Sequence, residues 1–133
     1  MQFQIGMIMT ETELTQIVIG HAIEIHKRLV PGLLENVYQE CLYFKLTKTG
    51  LFVEKEKPMP VIFDEVKIDC GFRLDLLVEN CLVVECKTVK ELNDIHIAQI
   101  LTYLKLGDFR IGLLINFNVI LLKDGIKRIK NGY

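Results

Sequence analysis

The sequence predicts an α+β (α/β) domain in which a mixed central β-sheet is flanked by helices. Three observations carry this: two helical periodicities precede any strand, a cluster of β-type runs follows without intervening helix, and one more helical stretch separates that cluster from the last strands. Half of the 133 residues are hydrophobic and a quarter are charged, the composition of a packed globular chain. A chain of that length sits near the usual size of one domain, so residues 1–133 are expected to fold as a single unit, with residues 1–10 as a flexible or edge segment.

From Thr12 to Val30, apolar residues recur at helical spacing at Ile17, Val18, Ala22, Ile25 and Leu29, and Thr10 or Thr12 can cap the helix. "VPG" punctuates the pattern at Val30 to Gly32. A second helix follows through Leu34, Val37, Cys41, Leu42, Phe44 and Leu46 to a glycine stop at Gly50. The runs "LFVEKEK", "MPVIFD", "VKID", "FRLDLLV" and "CLVVECKTV" then read as an antiparallel meander of three or four strands. Helical periodicity returns from Asn93 to Leu106. "RIGLLINF" and "VILLKD" read as two further strands joined by a turn at Asn118.

The formal net charge of −1 argues against strong indiscriminate attraction to nucleic acid. A local basic patch at Lys123, Lys127, Arg128 and Lys130 reads equally as an edge strand kept from aggregating by its lysines. Cys41, Cys70, Cys81 and Cys86 lack the C-x-x-C spacing of a zinc or redox site, so they are expected to be small buried hydrophobes with reduced thiols. "MQFQIGMIM" lacks the basic start of a signal peptide, and "IGLLINFNVILL" is far short of the ~20 residues that span a bilayer. These features predict a soluble cytoplasmic protein without membrane contact.

The chemistry concentrates in "RLDLLVENCLVVECKTV", Arg73 to Val89. Alternation across a strand puts Glu85 and Lys87 on one face opposite Leu82, Val84 and Cys86, and puts Arg73 and Asp75 opposite Leu74, Leu76 and Val78. Whether the two charged patches meet depends on the turn. A two-residue turn at Glu79 and Asn80 pairs Asp75 with Val84; a three-residue loop, Glu79 to Cys81, pairs Asp75 with Glu85, and Asn80 tolerates the left-handed backbone such loops use. In the second register two carboxylates and a lysine converge. Carboxylates in contact repel unless a proton or cation intervenes, and hard oxygen donors suit Mg²⁺ or Mn²⁺. With a neighbouring ammonium this is equipment for metal-assisted phosphodiester hydrolysis. The competing reading is a surface ion-pair ladder of Asp75 or Glu85 with Lys87 and Arg73.

On the third helix His96, Gln99 and Tyr103 form a polar stripe that can border such a site, with Gln99 facing a phosphate or the attacking water. In "GLLENVY", Glu35 and Tyr38 lie one turn apart at the start of the second helix. Glu35 either aims at the same cation or, with Gly32 as the N-cap, complements the helix dipole.

"GLLENVY", "HKRLVPGLLENVY", "FRLDLLVENCLVVECKTV" and "HIAQILTYLKLGDFRIGLLINF", in this order over Ile17 to Phe117, resemble the GxxExxY proteins of the PD-(D/E)XK nuclease-like superfamily. The resemblance implies a restriction-endonuclease-like core. It implies metal ligation by Asp75, Glu85 and Glu35 with the backbone carbonyl of Cys86, a catalytic role for Lys87, and polar roles for Gln99 and Tyr103 on the following helix. Tyr38, His96 and Arg73 are expected around these.

The combined expectation is a Mg²⁺- or Mn²⁺-dependent nuclease acting on nucleic acid, DNA in the first instance, with a homodimer or partner protein completing the groove. Two rivals stand beside it: a catalytically inactive nuclease-like module that binds nucleic acid or protein, and a phosphohydrolase of small nucleotides, both of which tolerate the near-neutral charge.

Overall fold

The computed structural model describes residues 9–29 and 31–132. Residues 1–8 of the expected flexible segment and the expected helix end at Val30 lie outside them. The first helix, α1, spans Glu11–Leu29. Thr10, not Thr12, starts it: the Glu13 N–H donates to Thr10 Oγ1 (3.0 Å) and the Thr10 N–H donates to Glu13 Oε1 (2.8 Å), a reciprocal capping box. Helix α2 spans Glu35–Lys48 and its N-cap is Leu34, so Gly32 is not the cap; Gly32 instead supplies a left-handed turn (φ 109°) two residues earlier. Thr49 closes α2, and left-handed Gly50 (φ 96°) follows directly.

The five β-type runs between Leu51 and Val89 merge into three strands: β1 Val53–Phe63, β2 Val66–Val78 and β3 Leu82–Lys87. Pro58 and Pro60 fit inside β1 because β1 is an edge strand, where their missing N–H groups break no ladder, and because the register shifts between Met59 and Val61. A Cβ at Gly71 would strike the Met59 carbonyl oxygen, so the strands close on one another at this bulge. The turn residues Asp64 (φ 50°) and Glu65 (φ 65°) are both left-handed, as a two-residue hairpin requires. The distal ribbon outruns β3, leaving Ile62, Phe63 and Val66 exposed.

Helix α3 spans Asp94–Gly107 with Asn93 as its N-cap. Strand β4, Ile111–Asn116, pairs parallel to β3 and antiparallel to β5, Ile126–Lys130. "VILLKD" is therefore not a strand. Phe117 and Leu122 turn into the core, the Leu122–Gly125 stretch forms a 3₁₀ turn, and the final strand is the basic "IKRIK". The sheet order β1-β2-β3-β4-β5 makes β5 the other edge, with Lys127, Arg128 and Lys130 exposed. This agrees with the solvated-edge reading of the basic patch.

The mixed sheet is covered on both faces. Val18, Ala22 and Ile25 of α1 and Tyr38, Leu42 and Leu46 of α2 pack on Leu76, Val78, Leu82, Val84, Cys86 and the odd-numbered residues of β4. Ile100 and Leu104 of α3 pack on Leu74, Leu77, Val83 and Leu114. Gly112 permits the close approach of α3, since a Cβ there would sit 2.9 Å from Ile100 Cδ1. The side chain of Cys70 lies outside those described; of the other cysteines, Cys86 is fully buried while Cys41 and Cys81 are only half-buried, and all three are free thiols. No helix among the described residues is long and apolar enough to cross a membrane.

Candidate active site

The loop between β2 and β3 is the three-residue one. Leu76 pairs with Val84, Leu77 with Val83 and Val78 with Leu82, and both Glu79 (φ 52°) and Asn80 (φ 57°) adopt left-handed backbone. Continuing that register sets Asp75 opposite Glu85. At this pair the regular ladder stops and side chains take over its hydrogen bonds. The Asp75 N–H donates to Glu85 Oε2 (2.9 Å), and the Cys86 N–H donates to Asp75 Oδ2 (2.8 Å). Each carboxylate is thereby fixed by the other's strand, with one oxygen committed to an amide and the second available.

Alternation also breaks at Asp75, which corrects the expected facing of β2. Leu76 and Val78 enter the α1/α2 core, but Leu74 joins Leu77 beneath α3. On β3 the expected alternation holds: Leu82, Val84 and Cys86 share the α1/α2 core. The expectation that Cys86 faces away from the carboxylates is thus met by its side chain, while its amide serves Asp75.

Both carboxylates are strained electrostatically. Burial, above all, raises Asp75 to about 6; the amide of Cys86 and the charge of Lys87 pull it down, and Glu35 and Glu56 push it up. Glu85, only 4% exposed, is raised to about 8 by burial and by Asp75, with Glu35 adding to the effect and the Asp75 amide and Lys87 opposing it. Glu35, half-buried as the first residue of α2, therefore exerts its charge on both. Without a cation the buried pair therefore tends to keep a proton, as expected of carboxylates brought together for a metal ion.

Lys87 stands beside the pair without pairing to it: its Nζ donates to Gln99 Oε1 (3.2 Å) on α3. Arg73 lies 4.0 Å from Glu56 and is largely exposed. The expected ion-pair ladder of Asp75 or Glu85 with Lys87 and Arg73 does not form among the described residues. The polar stripe on α3 divides by role. Tyr103 stacks on Phe72 (4.3 Å, 1° between ring planes), and burial together with the charges of Glu85 and Asp75 raises its hydroxyl. His96 closes the α3 capping box, its Nδ1 accepting from the Asn93 N–H (3.0 Å) while Asn93 Oδ1 accepts from the His96 N–H (3.2 Å).

Tyr38 is fully buried, stacked on Phe117 (4.5 Å), and its hydroxyl accepts from the Leu33 N–H (3.3 Å). It therefore holds the turn that presents Glu35, a supporting place in the core behind the residues it was expected to surround. The G-x-x-E-x-x-Y spacing has a mechanical sense here: Gly32 makes the turn, Tyr38 anchors it, and Glu35 opens the helix between them.

Three positions escaped the sequence reading. Buried Asn116 clamps the chain just beyond Lys87: the Val89 N–H donates to its Oδ1 (3.1 Å) and its Nδ2 donates to the Val89 carbonyl (2.9 Å). Gln39, 4% exposed on α2, donates from Nε2 to Glu56 Oε2 (3.0 Å), and Glu56 acts on Asp75. A polar residue at Asn116 inside the apolar run "IGLLINF" was the one available signal.

A hairpin of two interlocked carboxylates and a lysine, on a mixed sheet with two helices on one face and one on the other, defines a restriction-endonuclease-like nuclease core. The chain belongs to the PD-(D/E)XK nuclease superfamily, whose family model matches residues 12–129. No curated protein and no solved structure matches the chain.

Nucleases of this superfamily generally depend on divalent metal. Among the described residues no group of three or more His, Cys, Asp or Glu side chains is drawn together tightly enough to hold a metal ion alone. The donor set still fits Mg²⁺ or Mn²⁺, which bind through one or two carboxylates and complete their shell with water, substrate oxygens or backbone carbonyl.

Proposed function

We propose that the protein is a Mg²⁺- or Mn²⁺-dependent nuclease that hydrolyses phosphodiester bonds, with DNA as its substrate class. The observation that carries this is the reciprocal locking of Asp75 and Glu85, each through one oxygen, beside a lysine that neither neutralises. In a structural ion-pair network Lys87 would close on a carboxylate. Its bond to Gln99 instead holds the ammonium beside the pair, where its charge acts on both carboxylates without bonding to either.

Asp75, Glu85 and the Cys86 carbonyl would hold the metal, with Glu35 contributing from the start of α2. The bound cation would polarise a phosphoryl oxygen and lower the pKa of a water. Lys87, fixed by its bond to Gln99, would orient the attacking water and offset negative charge that develops on the phosphate, with Gln99 positioned to border the same phosphate. Tyr103, braced by Phe72, walls the cleft on the α3 side. DNA is put first because the superfamily that the chain resembles acts in restriction, repair and recombination; RNA processing, also found there, makes RNA the competing polymer. A homodimer or partner protein would extend the small substrate groove.

The deciding experiment incubates purified protein with single- and double-stranded DNA, RNA and a small nucleotide, in Mg²⁺, Mn²⁺ or EDTA, alongside Lys87→Ala. Metal-dependent DNA cleavage lost in the variant supports the proposal. Metal binding without cleavage of any polymer would move the reading to a phosphohydrolase or an inactive module.

A further inference from the structure

The middle of β1 holds a conformation that a strand of L-residues avoids. Glu56 has φ 51°, the left-handed region, with neither glycine's freedom nor a turn to require it. Such a residue persists only where its surroundings over-determine it. The irregularity is local: Lys55 pairs with Leu76 and Lys57 with Leu74, so the register on both sides is the same. The pair missing between them would be Glu56 with Asp75.

Glu56 and Asp75 thus deform together. On β2 the deformation sends Leu74 to the α3 core and Leu76 to the α1/α2 core. It also coincides with the end of the β2–β3 ladder, where the Asp75 amide turns to Glu85 Oε2 and its carboxylate reaches the Cys86 amide. Had β1 and β2 paired regularly here, Asp75 would keep the ordinary alternation of the strand.

On the β1 side the half-exposed Glu56 carboxylate meets a buried amide. Gln39 Nε2 donates to Glu56 Oε2 at 3.0 Å, and Gln39 is 4% exposed on α2, one helical turn after Glu35. Arg73, two residues before Asp75, lies 4.0 Å from Glu56 Oε1. The helix that presents Glu35 is therefore tied through Gln39 and Glu56 to the bend that carries Asp75.

We infer that Glu56, gripped by Gln39, is a positioning residue: it sets the left-handed kink that turns Asp75 onto Glu85 and keeps the α2 carboxylate in step with that pair. The inference deepens the nuclease reading and rests on it for its consequence, though the mechanical link concerns the metal-free protein. Glu56 acts through Asp75 and is not assigned to the metal.

The test compares Glu56→Ala, Gln39→Leu and Glu56→Gln with wild type, reading backbone amide exchange by NMR without metal, Mn²⁺ affinity by calorimetry, and cleavage kinetics. In Glu56→Ala and Gln39→Leu the Asp75 and Cys86 amides are expected to exchange about tenfold faster or more, while amides of the β3–β4 ladder keep their protection. Mn²⁺ affinity then drops roughly tenfold, and kcat falls with KM for DNA little changed. Glu56→Gln keeps an acceptor for Gln39 and stays within about threefold of wild type. Unchanged exchange at Asp75 and Cys86 in Glu56→Ala would overturn the inference, as would a Glu56→Gln variant as damaged as the alanine. A residue that merely stabilises the fold would lower all amide protection together and leave the Mn²⁺ affinity of the folded protein intact. Failure of the nuclease reading looks different: wild type neither binds Mn²⁺ nor cleaves, and the exchange comparison still decides the role of Glu56.

Discussion

Between Leu76 and Val84 the β2–β3 hairpin is an ordinary ladder, its pairs in register and its side chains sealed into one core or the other. One residue further, at Asp75 and Glu85, the same two strands exchange side chain-to-backbone bonds and bury charge. The first half behaves as structure and is stabilised by what it excludes from water. The second half opposes folding, since its two carboxylates lose hydration and repel each other. The regular half, closed by a left-handed loop, supplies the rigidity that keeps the unfavourable half in place.

The sharpest way to break this comparison is Asp75→Asn. Cleavage is expected to fall by about a thousandfold or more as the metal's charge stabilisation is lost. The metal-free variant should melt no lower than wild type, because neutralising Asp75 removes the cost of burying its charge near Glu35 and Glu56. Mg²⁺ should raise the melting point of wild type and do little for the variant. A variant that melts far lower in EDTA would show instead that Asp75 is part of a stabilising network.

The opposite signature is expected two residue pairs away. Leu77→Ala, in the core beneath α3, should destabilise by roughly 2–5 kcal/mol while leaving the Mn²⁺ affinity of the folded fraction unchanged. Denaturant melts and calorimetry on the same samples would separate the two effects.

A third measurement sharpens the contrast through pH. Asp75 and Glu85 are raised on folding, so the folded state favours their protonated forms. Their contribution to stability is fully present below the unfolded carboxylate range near pH 4. It is lost as pH rises through about 6 for Asp75 and about 8 for Glu85. In EDTA the melting temperature of wild type should therefore fall by roughly 5 °C or more between pH 5 and 8, relative to Glu85→Gln. Saturating Mg²⁺ should remove most of that difference. Equal pH profiles in the two proteins would contradict the burial of an ionisable pair.

The smallest expected effect concerns the rim. Asn93→Ala removes the α3 cap and should cost about 1 kcal/mol. His96→Ala should cost less, and cleavage by either should stay within about twofold of wild type if His96 serves the cap alone. A large loss of activity in His96→Ala with an intact melting point would return His96 to the substrate cleft.

The order of helices and strands was legible because periodicity is a local property, and so was the hairpin, whose two registers differ only in turn length. Two kinds of information were not local. "VILLKD" has strand composition, yet Leu122 and the preceding loop serve the α1/α2 core, and the edge strand went to the less apolar "IKRIK". Glu56 looked like one charge in the alternating "VEKEK", and only the pairing of β1 with β2 reveals its left-handed backbone beside Asp75. The family resemblance, not the spacing alone, grouped Glu35 with Asp75, Glu85 and Lys87. It held no trace of the supports at Gln39 and Glu56, because these lie on different elements and meet only in the folded chain.

Cys86 sits between Glu85 and Lys87, with its thiol fully buried in the α1/α2 core and raised well above the ordinary thiol range by burial and by the nearby acids. A thiol held protonated and out of solvent is a poor nucleophile, so oxidants reach it only when β3 leaves the sheet. The same crossing of faces that lets its amide hold Asp75 therefore insulates the centre of the E-x-K motif from redox chemistry. Peroxide or alkylating agents should modify half-exposed Cys41 and Cys81 before Cys86, and adducts at Cys86 would mark molecules whose central sheet has already come apart.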